Sequence, residues 1–368
     1  MSDGTPMTSS PPIPLLARAP RALQWAVLLI VSAVLVAALI AVSLPAALLI
    51  GPMFAAVAAG LAGATIRVPG PMVLGAQAIV SMLIASAITP AIVVAFLKDW
   101  PLFLAVVLAT VAASSSLGYL MSRRRILPGT TAVWGSSPGA ASAMVLMAET
   151  FGADARLVAL MQYLRLVMVA GAAALVARFI VDASGAAPPP IIWFPVVDPR
   201  AFTETMAIAV IGTLVGRIAP IPSGALIVPM IAGALLQGFG LVEIVLPEWL
   251  LSIGYALIGW RIGLGFTRSV VRHAARVLPQ IALSILVLMG FSASLAALLV
   301  HLLGIDPLTA YLATSPGGMD SIAVIAASTP VDLSFVMALQ AVRFFIIVLT
   351  GPSIAHLIAR RMQPHPPA

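Results

Sequence analysis

The chain has 368 residues, of which 61% are hydrophobic and 8% are charged, and its mean hydropathy is +1.13. A soluble domain carries about 25% charged residues, so the composition excludes a water-facing globular protein and predicts a chain embedded in a bilayer. The absence of cysteine excludes a disulfide framework and thiolate metal ligands. The net charge of +7 does not indicate nucleic-acid binding, because the basic residues lie in short loops between apolar runs.

Apolar segments divide the chain into two similar halves. Residues 1–21 are polar and proline-rich and are predicted to form a disordered tail, and the first membrane repeat follows at 22–181. A proline-rich linker at 182–199 precedes the second repeat at 200–361 and a short tail at 362–368. Most segments approach the ~20 residues that a helix needs to cross a bilayer. In chain order they are 22–43, 45–64, 71–97, 101–121, 131–149, 156–180, 200–217, 222–240, 247–267, 277–303, 309–328 and 334–358.

The sequence repeats itself at an offset of 178 residues. A motif of hydroxyl residues followed by Pro138-Gly139 recurs at Pro316-Gly317, and in both copies a glutamine and an arginine follow in the next segment. A second block around Pro52 matches Pro229 at an offset of 177, so duplication of the whole half is the simplest explanation. Such duplication is typical of secondary transporters.

Positive residues predict the topology, because they favour the cytoplasmic side. If all twelve segments cross, ten positive residues lie inside and six outside. If each proline–glycine segment instead enters and leaves on one side, thirteen lie inside and three outside, namely Lys98, Arg178 and Arg200. The second pattern predicts an all-α polytopic membrane protein with two inverted repeats, each with about five crossings and one broken re-entrant segment. Both termini are then cytoplasmic, in a bacterial inner membrane.

The two broken segments are the candidate substrate site. Proline lacks the amide hydrogen and glycine tolerates unusual dihedral angles, so each pair interrupts its helix. Interrupted backbone at membrane depth is tolerated only inside protein or beside a watery cavity, where a helix start can hold an anion. A plain proline kink packed by small residues is the alternative. The candidate residues are Ser136, Ser137, Pro138, Gly139 and Ser142 in the first break, and Ser315, Pro316, Gly317 and Gly318 in the second.

Buried polar residues follow each break. Gln162 and Arg165, and their mates Gln340 and Arg343, lie three residues apart on one helix face. An ionisable group within a membrane segment is costly and usually functional, and two guanidinium groups suit carboxylate, sulfonate or phosphate. Asp320 stands where the first half has Ser142; it is a candidate for proton coupling, with a structural salt bridge to an arginine as the alternative.

Other charged residues have plainer explanations. Asp154 and Asp332 are predicted to cap the helices that follow them. Glu149 is predicted to lie at the membrane interface, and Arg261 has no assigned role beyond a place in the cavity. The four histidines are scattered, no metal-binding or phosphate-loop motif occurs, and we expect neither a metal, a cofactor nor an enzymatic activity.

The two motifs resemble the bacterial AbrB-type duplicated membrane proteins. The resemblance rests on the stretch from Trp134 to Ala141 with Glu149, and on the stretch from Thr314 to Asp320, and it covers nearly the whole chain after about residue 30. Members are often labelled ammonia monooxygenases or regulators. The family is similar in pattern to cation–proton antiporters and anion transporters with inverted repeats, which implies a transporter fold. The monooxygenase label lacks support, because the ligands for its metal are missing.

We expect a secondary active transporter of a small anionic or zwitterionic metabolite, working by alternating access about the two crossed breaks. A membrane sensor that affects gene expression through a bound ligand and a partner is the alternative, and a membrane enzyme subunit is a third. The sequence leaves open whether H+ or Na+ couples transport and whether the chain forms a homodimer, and it indicates no nucleic-acid partner.

Overall fold

All secondary structure in the described part of the chain is helical. The computed structural model describes residues 16–42, 47–139, 141–180, 192–220, 223–317, 322 and 331–362. The helices are α1 Arg21–Ala41, α2 Ala47–Leu61, α3 Gly70–Ser86, α4 Pro90–Arg123, α5 Thr131–Ser136, α6 Ala141–Thr150, α7 Ala155–Ile180, α8 Pro199–Ile218, α9 Gly224–Gly238, α10 Glu248–Gly263, α11 Arg268–Leu303, α12 Pro307–Thr314 and α13 Leu333–Met362.

Five of these helices are long and apolar enough to cross a membrane. They are α1, α4 from Phe96 onward, α8, α11 and α13 as far as Ala355. Their outer faces are apolar: only a sixth to a half of the residues in each candidate span are buried within the protein. A surface of this kind is stable only against lipid. The prediction of an all-α polytopic membrane protein is therefore confirmed.

The duplication extends to helix starts and caps. Helices α4 and α11 begin 178 residues apart, as do α3 and α10, and α7 and α13. Thr89 caps α4 by accepting a hydrogen bond from the amide of Ile92, and its repeat mate Thr267 caps α11 in the same way from Val270. A threonine oxygen satisfies one of the amides left free at a helix start. The two halves therefore share a local fold as well as a sequence pattern.

Three predicted segments, 71–97, 101–121 and 277–303, have shifted boundaries in the structure. The predicted segments 71–97 and 101–121 become α3, which ends at Ser86, and α4, which runs through the expected gap. Pro90 starts α4 because a proline in the first turn sacrifices no helical hydrogen bond. Pro101 leaves a kink instead of a break, since Asp99 departs from helical geometry with φ −124° and ψ 29°. The repeat mate of Pro101 is Pro279, which also lies within its helix, α11. The repeat mate of Pro90 is not a proline but Arg268, and α11 nevertheless starts there.

The halves are packed reciprocally. Helix α2 of the first half packs against α10 of the second, and its mate α9 packs against α3, the mate of α10. Likewise α4 contacts α13 while α11 contacts α7. Exchange of equivalent contacts is what a two-fold relation between the repeats produces. The main hydrophobic core accordingly draws on helices of both repeats, with α5, α6 and α12 at its centre.

Small residues allow the closest of these contacts. Gly259 and Gly263 form a Gly-x-x-x-Gly face on α10 that lies against the backbone of α2. A Cβ added at Gly259 would lie 2.9 Å from the carbonyl oxygen of Leu49, and one at Gly263 would collide with that of Met53. On the reciprocal side, a Cβ at Gly233 would lie 2.8 Å from that of Ala85, the mate of Gly263. Close backbone approach through small residues is a general means of helix association in membranes.

The last residues of the predicted tail, from Leu16, and of the predicted linker, from Ile192, belong to the described structure. The amide of Leu16 donates to the carbonyl of Ala62 at 2.9 Å, and the side chain of Gln24 bonds the carbonyl of Leu16, so the chain is anchored before α1. Asp198 caps α8, which begins at Pro199. The rest of the predicted tail, most of the linker and the end of the chain from residue 363 lie outside the described residues.

Candidate functional site

The first break lies between two short helices. α5 ends at Ser136, Ser137 is extended with φ −64° and ψ 120°, and α6 begins at Ala141. The hydroxyl of Ser136 donates to the carbonyl of Ser114 on α4 at 2.9 Å, and that of Ser137 donates to Val133 within α5 at 2.7 Å. Both hydroxyls are therefore engaged with backbone in this structure. Pro138, Gly139 and Ser142 are buried beside them.

The second break copies this construction. α12 ends at Thr314, and Ser315 is extended with φ −52° and ψ 134°. Thr314 donates to the carbonyl of Ser292 on α11 at 3.0 Å, and Ser292 is the repeat mate of Ser114. Pro316 and Gly317 are buried at the end of the described stretch. Gly318 and Asp320, the other two predicted site residues here, lie outside the described residues.

The glutamines bond the carbonyl groups exposed by each break. The amide nitrogen of Gln162 donates to the carbonyl of Trp134 at 2.9 Å and of Ser137 at 3.0 Å. Gln340 does the same for Leu312 at 2.7 Å and Ser315 at 3.2 Å. The last carbonyls of an α-helix have no partner within it. Each glutamine therefore stabilises the interrupted end of α5 or α12.

The arginine that follows each glutamine also donates hydrogen bonds to the carbonyl groups at the end of α5 or α12. Arg165 donates from Nη1 to the carbonyls of Ser136 and Ser137, at 3.3 and 3.1 Å. Arg343 donates from Nη1 to Ser315 at 2.6 Å and from Nη2 to Gly317 at 3.2 Å. Both guanidinium groups also bond the side-chain oxygen of the glutamine three residues before them. The two arginines lie at the negative ends of the α5 and α12 dipoles, where a cation is stabilised.

One arginine connects the two breaks. Nε of Arg343 donates to the carbonyl of Pro138 at 3.0 Å, across 205 residues of sequence. A Cβ at Gly317 would lie 3.0 Å from a methyl group of Val169, one turn beyond Arg165 on α7. The structure therefore brings the predicted site residues of both repeats together at one place in the core.

The two buried arginines of the site have no carboxylate partner in the part of the chain that the structure describes. Arg165 and Arg343 are each only 2% exposed, and the positive charge of the first acts on the second. Among the described residues, ion pairs involve Arg156, Arg200 and Arg261, and neither of these two arginines. Carbonyl dipoles reduce the cost of burying a guanidinium group but leave its net charge in place. Among the described residues, the positive charge of the two guanidinium groups is therefore not neutralised by a carboxylate.

The two arginines are not equivalent. Arg343 uses Nε, Nη1 and Nη2 in hydrogen bonds, whereas Nε of Arg165 has no partner in the described part of the chain. The hydroxyl of Ser315 is also buried and without a partner there, unlike that of its mate Ser137. A buried donor without a partner costs about 1–3 kcal/mol. Nε of Arg165 and the hydroxyl of Ser315 are therefore among the buried donors that remain without a partner in the described residues.

A polar cavity of about 530 Å³ opens near the start of α7. Arg261, at the end of α10, bonds both carboxylate oxygens of Glu149, with Nε at 3.1 Å from Oε2. Arg156 bonds the carbonyl of Gly265 at 2.9 Å and pairs with Asp154. The cavity thus has two ion pairs on its rim. The pair of Arg261 with Glu149 and the hydrogen bond of Arg156 to Gly265 both connect the first repeat to the second. Sequence reasoning missed the partner of Arg261 because Glu149 and Arg261 lack charged mates at the repeat offset.

Helix caps give further support to the duplication. Asp154 accepts a hydrogen bond from the amide of Arg156 at 3.0 Å, and Asp332 accepts one from Phe335 at 2.9 Å, which confirms both predicted caps. The amide of Asp154 bonds the hydroxyl of Thr131 at 3.1 Å, and that of Asp332 bonds Thr309 at 3.3 Å. The threonines were not predicted, although their occurrence at the same offset of 178 was the available signal.

Asp154 should make stability depend on pH in the acid range. Burial acts to raise the pKa of Asp154, but hydrogen bonds and the charge of Arg156 together hold it below its usual value. The ionised carboxylate therefore stabilises the folded state above the unfolded pKa of about 3.9, and this stabilisation is lost as the pH falls through the folded pKa. We expect Asp154→Asn to lower the melting temperature at neutral pH, and the difference from wild type to shrink near pH 3. Melting curves across this range test it, and a difference independent of pH would contradict it.

Both breaks lie within a stretch of the chain that matches a known protein family. Residues 48–359 match the family described as "Transition state regulatory protein AbrB". The chain is 48% identical over 338 residues to "Putative regulator AbrB" of Escherichia coli (strain K12), covering 92% of this chain and 97% of that protein. It is 24% identical over 255 residues to "Uncharacterized protein YhjN" of Bacillus subtilis (strain 168), covering 66% of each chain. No solved structure matches the chain.

Proposed function

Since the chain belongs to the AbrB family, with a match that spans both repeats and both breaks, we propose that it is a secondary active transporter of a small anionic or zwitterionic metabolite. The observation that carries the proposal is the pair of buried arginines at the meeting point of the two breaks. They are held by backbone carbonyls and have no carboxylate partner among the described residues. A transported anion would supply the missing charge.

The arrangement also suggests how the solute could move. In transporters with internal repeats, substrate binds near the bilayer midplane where discontinuous helices meet, and one repeat rocks against the other. The reciprocal packing of α2 with α10 and of α9 with α3 supports such a relation here. The charge count of the sequence favours inversion of the repeats, cytoplasmic termini and an inner-membrane location. Coupling to H+ or Na+, with Asp320 as the candidate carrier of the proton, belongs to the same proposal.

Chemically, the site would act through fixed donors. A carboxylate placed between the breaks could accept hydrogen bonds from Nε of Arg165 and from the hydroxyl of Ser315, which are buried and have no partner in the described region. Charge-assisted hydrogen bonds of this kind are roughly twice as strong as neutral ones. Because both arginines are 2% exposed, the bound anion would be shielded from water.

A membrane sensor is the second candidate. The names of the family and of the E. coli relative contain the word regulator, and a sensor would use the same pocket to bind a ligand without moving it. A transporter and a sensor would both bind the ligand in this pocket, but only a transporter would move it across the membrane. An enzymatic activity is not part of either proposal.

The proposal can be tested by a thermal-shift screen of the purified full-length protein. The ligands are small carboxylates, sulfonates, phosphates and amino acids, added to wild type, Arg165→Ala and Arg261→Ala. We expect an anion that stabilises wild type and Arg261→Ala, whose replaced arginine is 38% exposed at the cavity rim, and fails to stabilise Arg165→Ala. Equal stabilisation of Arg165→Ala would overturn the assignment of the site.

A measurement of anion flux then distinguishes the transporter hypothesis from the sensor hypothesis. The anion identified by the screen is measured for uptake into liposomes that contain the protein, with Arg165→Ala liposomes as the control. Uptake by wild type alone supports the transporter. Binding without uptake, under both a proton and a sodium gradient, would favour the sensor.

A further inference from the structure

Two separate segments of the chain, which meet at a shared cavity, carry clusters of exposed arginines. The end of α4 carries three consecutive arginines, and the first turns of α11 carry three more at a spacing of four residues, which puts them on one helix face. All six are exposed. They are Arg123, Arg124, Arg125, Arg268, Arg272 and Arg276, and they form what we term the basic rim.

A cavity lies between the two segments. It has a volume of about 490 Å³ and is lined by Arg125 from the end of α4 and by His273 from α11, with Ser122 and the loop before α5. It shares Pro128 and Gly129 with the cavity bordered by Glu149 and Arg261 but is separate from the buried arginines of the breaks. One arginine of the basic rim, Arg125, therefore lines a concave site together with His273 of α11.

The rim has no acidic counterpart in the described part of the chain. None of its six arginines forms an ion pair there, and the acidic groups of the adjoining cavity, Glu149 and Asp154, are already paired with Arg261 and Arg156. Six like charges repel one another and destabilise the fold unless an anion binds among them. The rim therefore lacks a partner of negative charge.

The backbone of Arg125 supplies a second, independent observation. Its φ is +54°, in the left-handed region, and the amide of Ile126 bonds the carbonyl of Met121 at 3.1 Å, which completes the end of α4. Glycine or asparagine is the usual residue at such a position, and another residue costs about 1 kcal/mol. Here the side chain lines the cavity. A strained backbone at a binding surface is a common sign of function.

We propose that this cavity binds a phosphate group, presented by an anionic phospholipid or by a soluble phosphate ester. Arginine matches the geometry of phosphate through its planar fork of N–H donors. Exposed apolar side chains at Val271 and Leu278 neighbour Arg272 and Arg276 on α11, so acyl chains could lie beside a bound headgroup. Basic pockets between membrane helices are recurrent headgroup sites.

The orientation signal alone does not account for the cavity. Positive residues that set topology need only lie on one side of the membrane, and Arg217, at the end of α8, would serve that purpose as well. α8 packs on α9 and α3, away from α4 and α11. Arg217→Gln therefore removes the same charge without touching the proposed site, and is the matched control.

Two variants remove the site without endangering the fold. Arg125→Gly places glycine where φ is positive and should leave the protein at least as stable as wild type. His273→Gln replaces an exposed side chain of α11 that lines the cavity. The full-length protein is purified in detergent, and native mass spectrometry and melting temperature are measured with phosphatidylglycerol, phosphatidylcholine, glycerol phosphate and inorganic phosphate.

We expect wild type and Arg217→Gln to bind phosphatidylglycerol in preference to phosphatidylcholine, and Arg125→Gly and His273→Gln each to bind it roughly fivefold more weakly. Protection by phosphatidylglycerol alone identifies a lipid as the source, and protection by glycerol phosphate or inorganic phosphate identifies a soluble ester. The proposal is overturned if Arg217→Gln loses as much binding as Arg125→Gly, or if neither variant differs from wild type.

Discussion

Arg343→Ala will destabilise the protein more than Arg165→Ala, although the two arginines are repeat mates with equal burial. Removal of Arg343 leaves the carbonyls of Pro138, Ser315 and Gly317 without this donor, together with the side-chain oxygen of Gln340. A buried acceptor without a partner costs about 1–3 kcal/mol. We expect a loss on the order of 3 kcal/mol for Arg343→Ala, because several neutral buried acceptors lose this donor at the same time.

The difference arises from the contact between repeats. Arg165 bonds only residues of its own half, namely Ser136, Ser137 and Gln162, and its Nε contributes nothing among the described residues. We therefore expect Arg165→Ala to lose less stability but to lose anion binding, and Arg343→Lys to restore only part of the loss, since an ammonium group cannot span the acceptors of a guanidinium fork. Melting in detergent followed by tryptophan fluorescence measures all three variants. Equal losses at both positions would show that the contact with Pro138 contributes little.

Gly263→Ala will also be strongly destabilising, while Gly290→Ala will be neutral or stabilising. A Cβ at Gly263 would collide with the backbone of α2, whereas nothing lies within 4 Å of a Cβ at Gly290, in the middle of α11. Overpacking of a tight contact costs typically 1–3 kcal/mol and occasionally more. Alanine in place of an unhindered helical glycine gains roughly 0.5–1 kcal/mol.

Opposite signs make this pair of variants a sharp test. Both replace a helical glycine by alanine, Gly263 in the last turn of α10 and Gly290 in the middle of α11, so the packing around the added methyl group is the main difference. The melting temperature of each is compared with that of wild type in the same detergent. If Gly263→Ala is as stable as Gly290→Ala, then α2 and α10 are not in the close contact described here.

Sequence alone predicted the features that duplication repeats. Pro138 and Pro316, the glutamines and the arginines stood out because each has a mate at a fixed offset, and the structure places all of those it describes at two equivalent breaks. The caps at Asp154 and Asp332 followed from local chemistry. A helix cap depends only on residues that are close in sequence, so it can be predicted without knowledge of the fold.

Long-range partners could not be predicted in the same way. The acceptors of Arg165 and Arg343 are backbone carbonyls, which every residue has, so the sequence carries no sign of them. Glu149 and Arg261 are 112 residues apart and break the repeat pattern, so neither pointed to the other. The Gly-x-x-x-Gly face of α10 was visible, but which helix it would meet depended on the two-fold arrangement.

The exchange of partners between repeats has a consequence for biogenesis. α2 is made early but completes its packing only with α10, which follows about 200 residues later. At synthesis rates of about 5–20 residues per second, this interval lasts roughly 10–40 s. During it, Met53 and its neighbours in α2 lack their permanent partner, and the nascent protein depends on lipid or on insertion factors to shield them. The first half therefore cannot complete its packing before α10 has been synthesised. We expect nascent chains that stop before α10 to be substrates for membrane quality control.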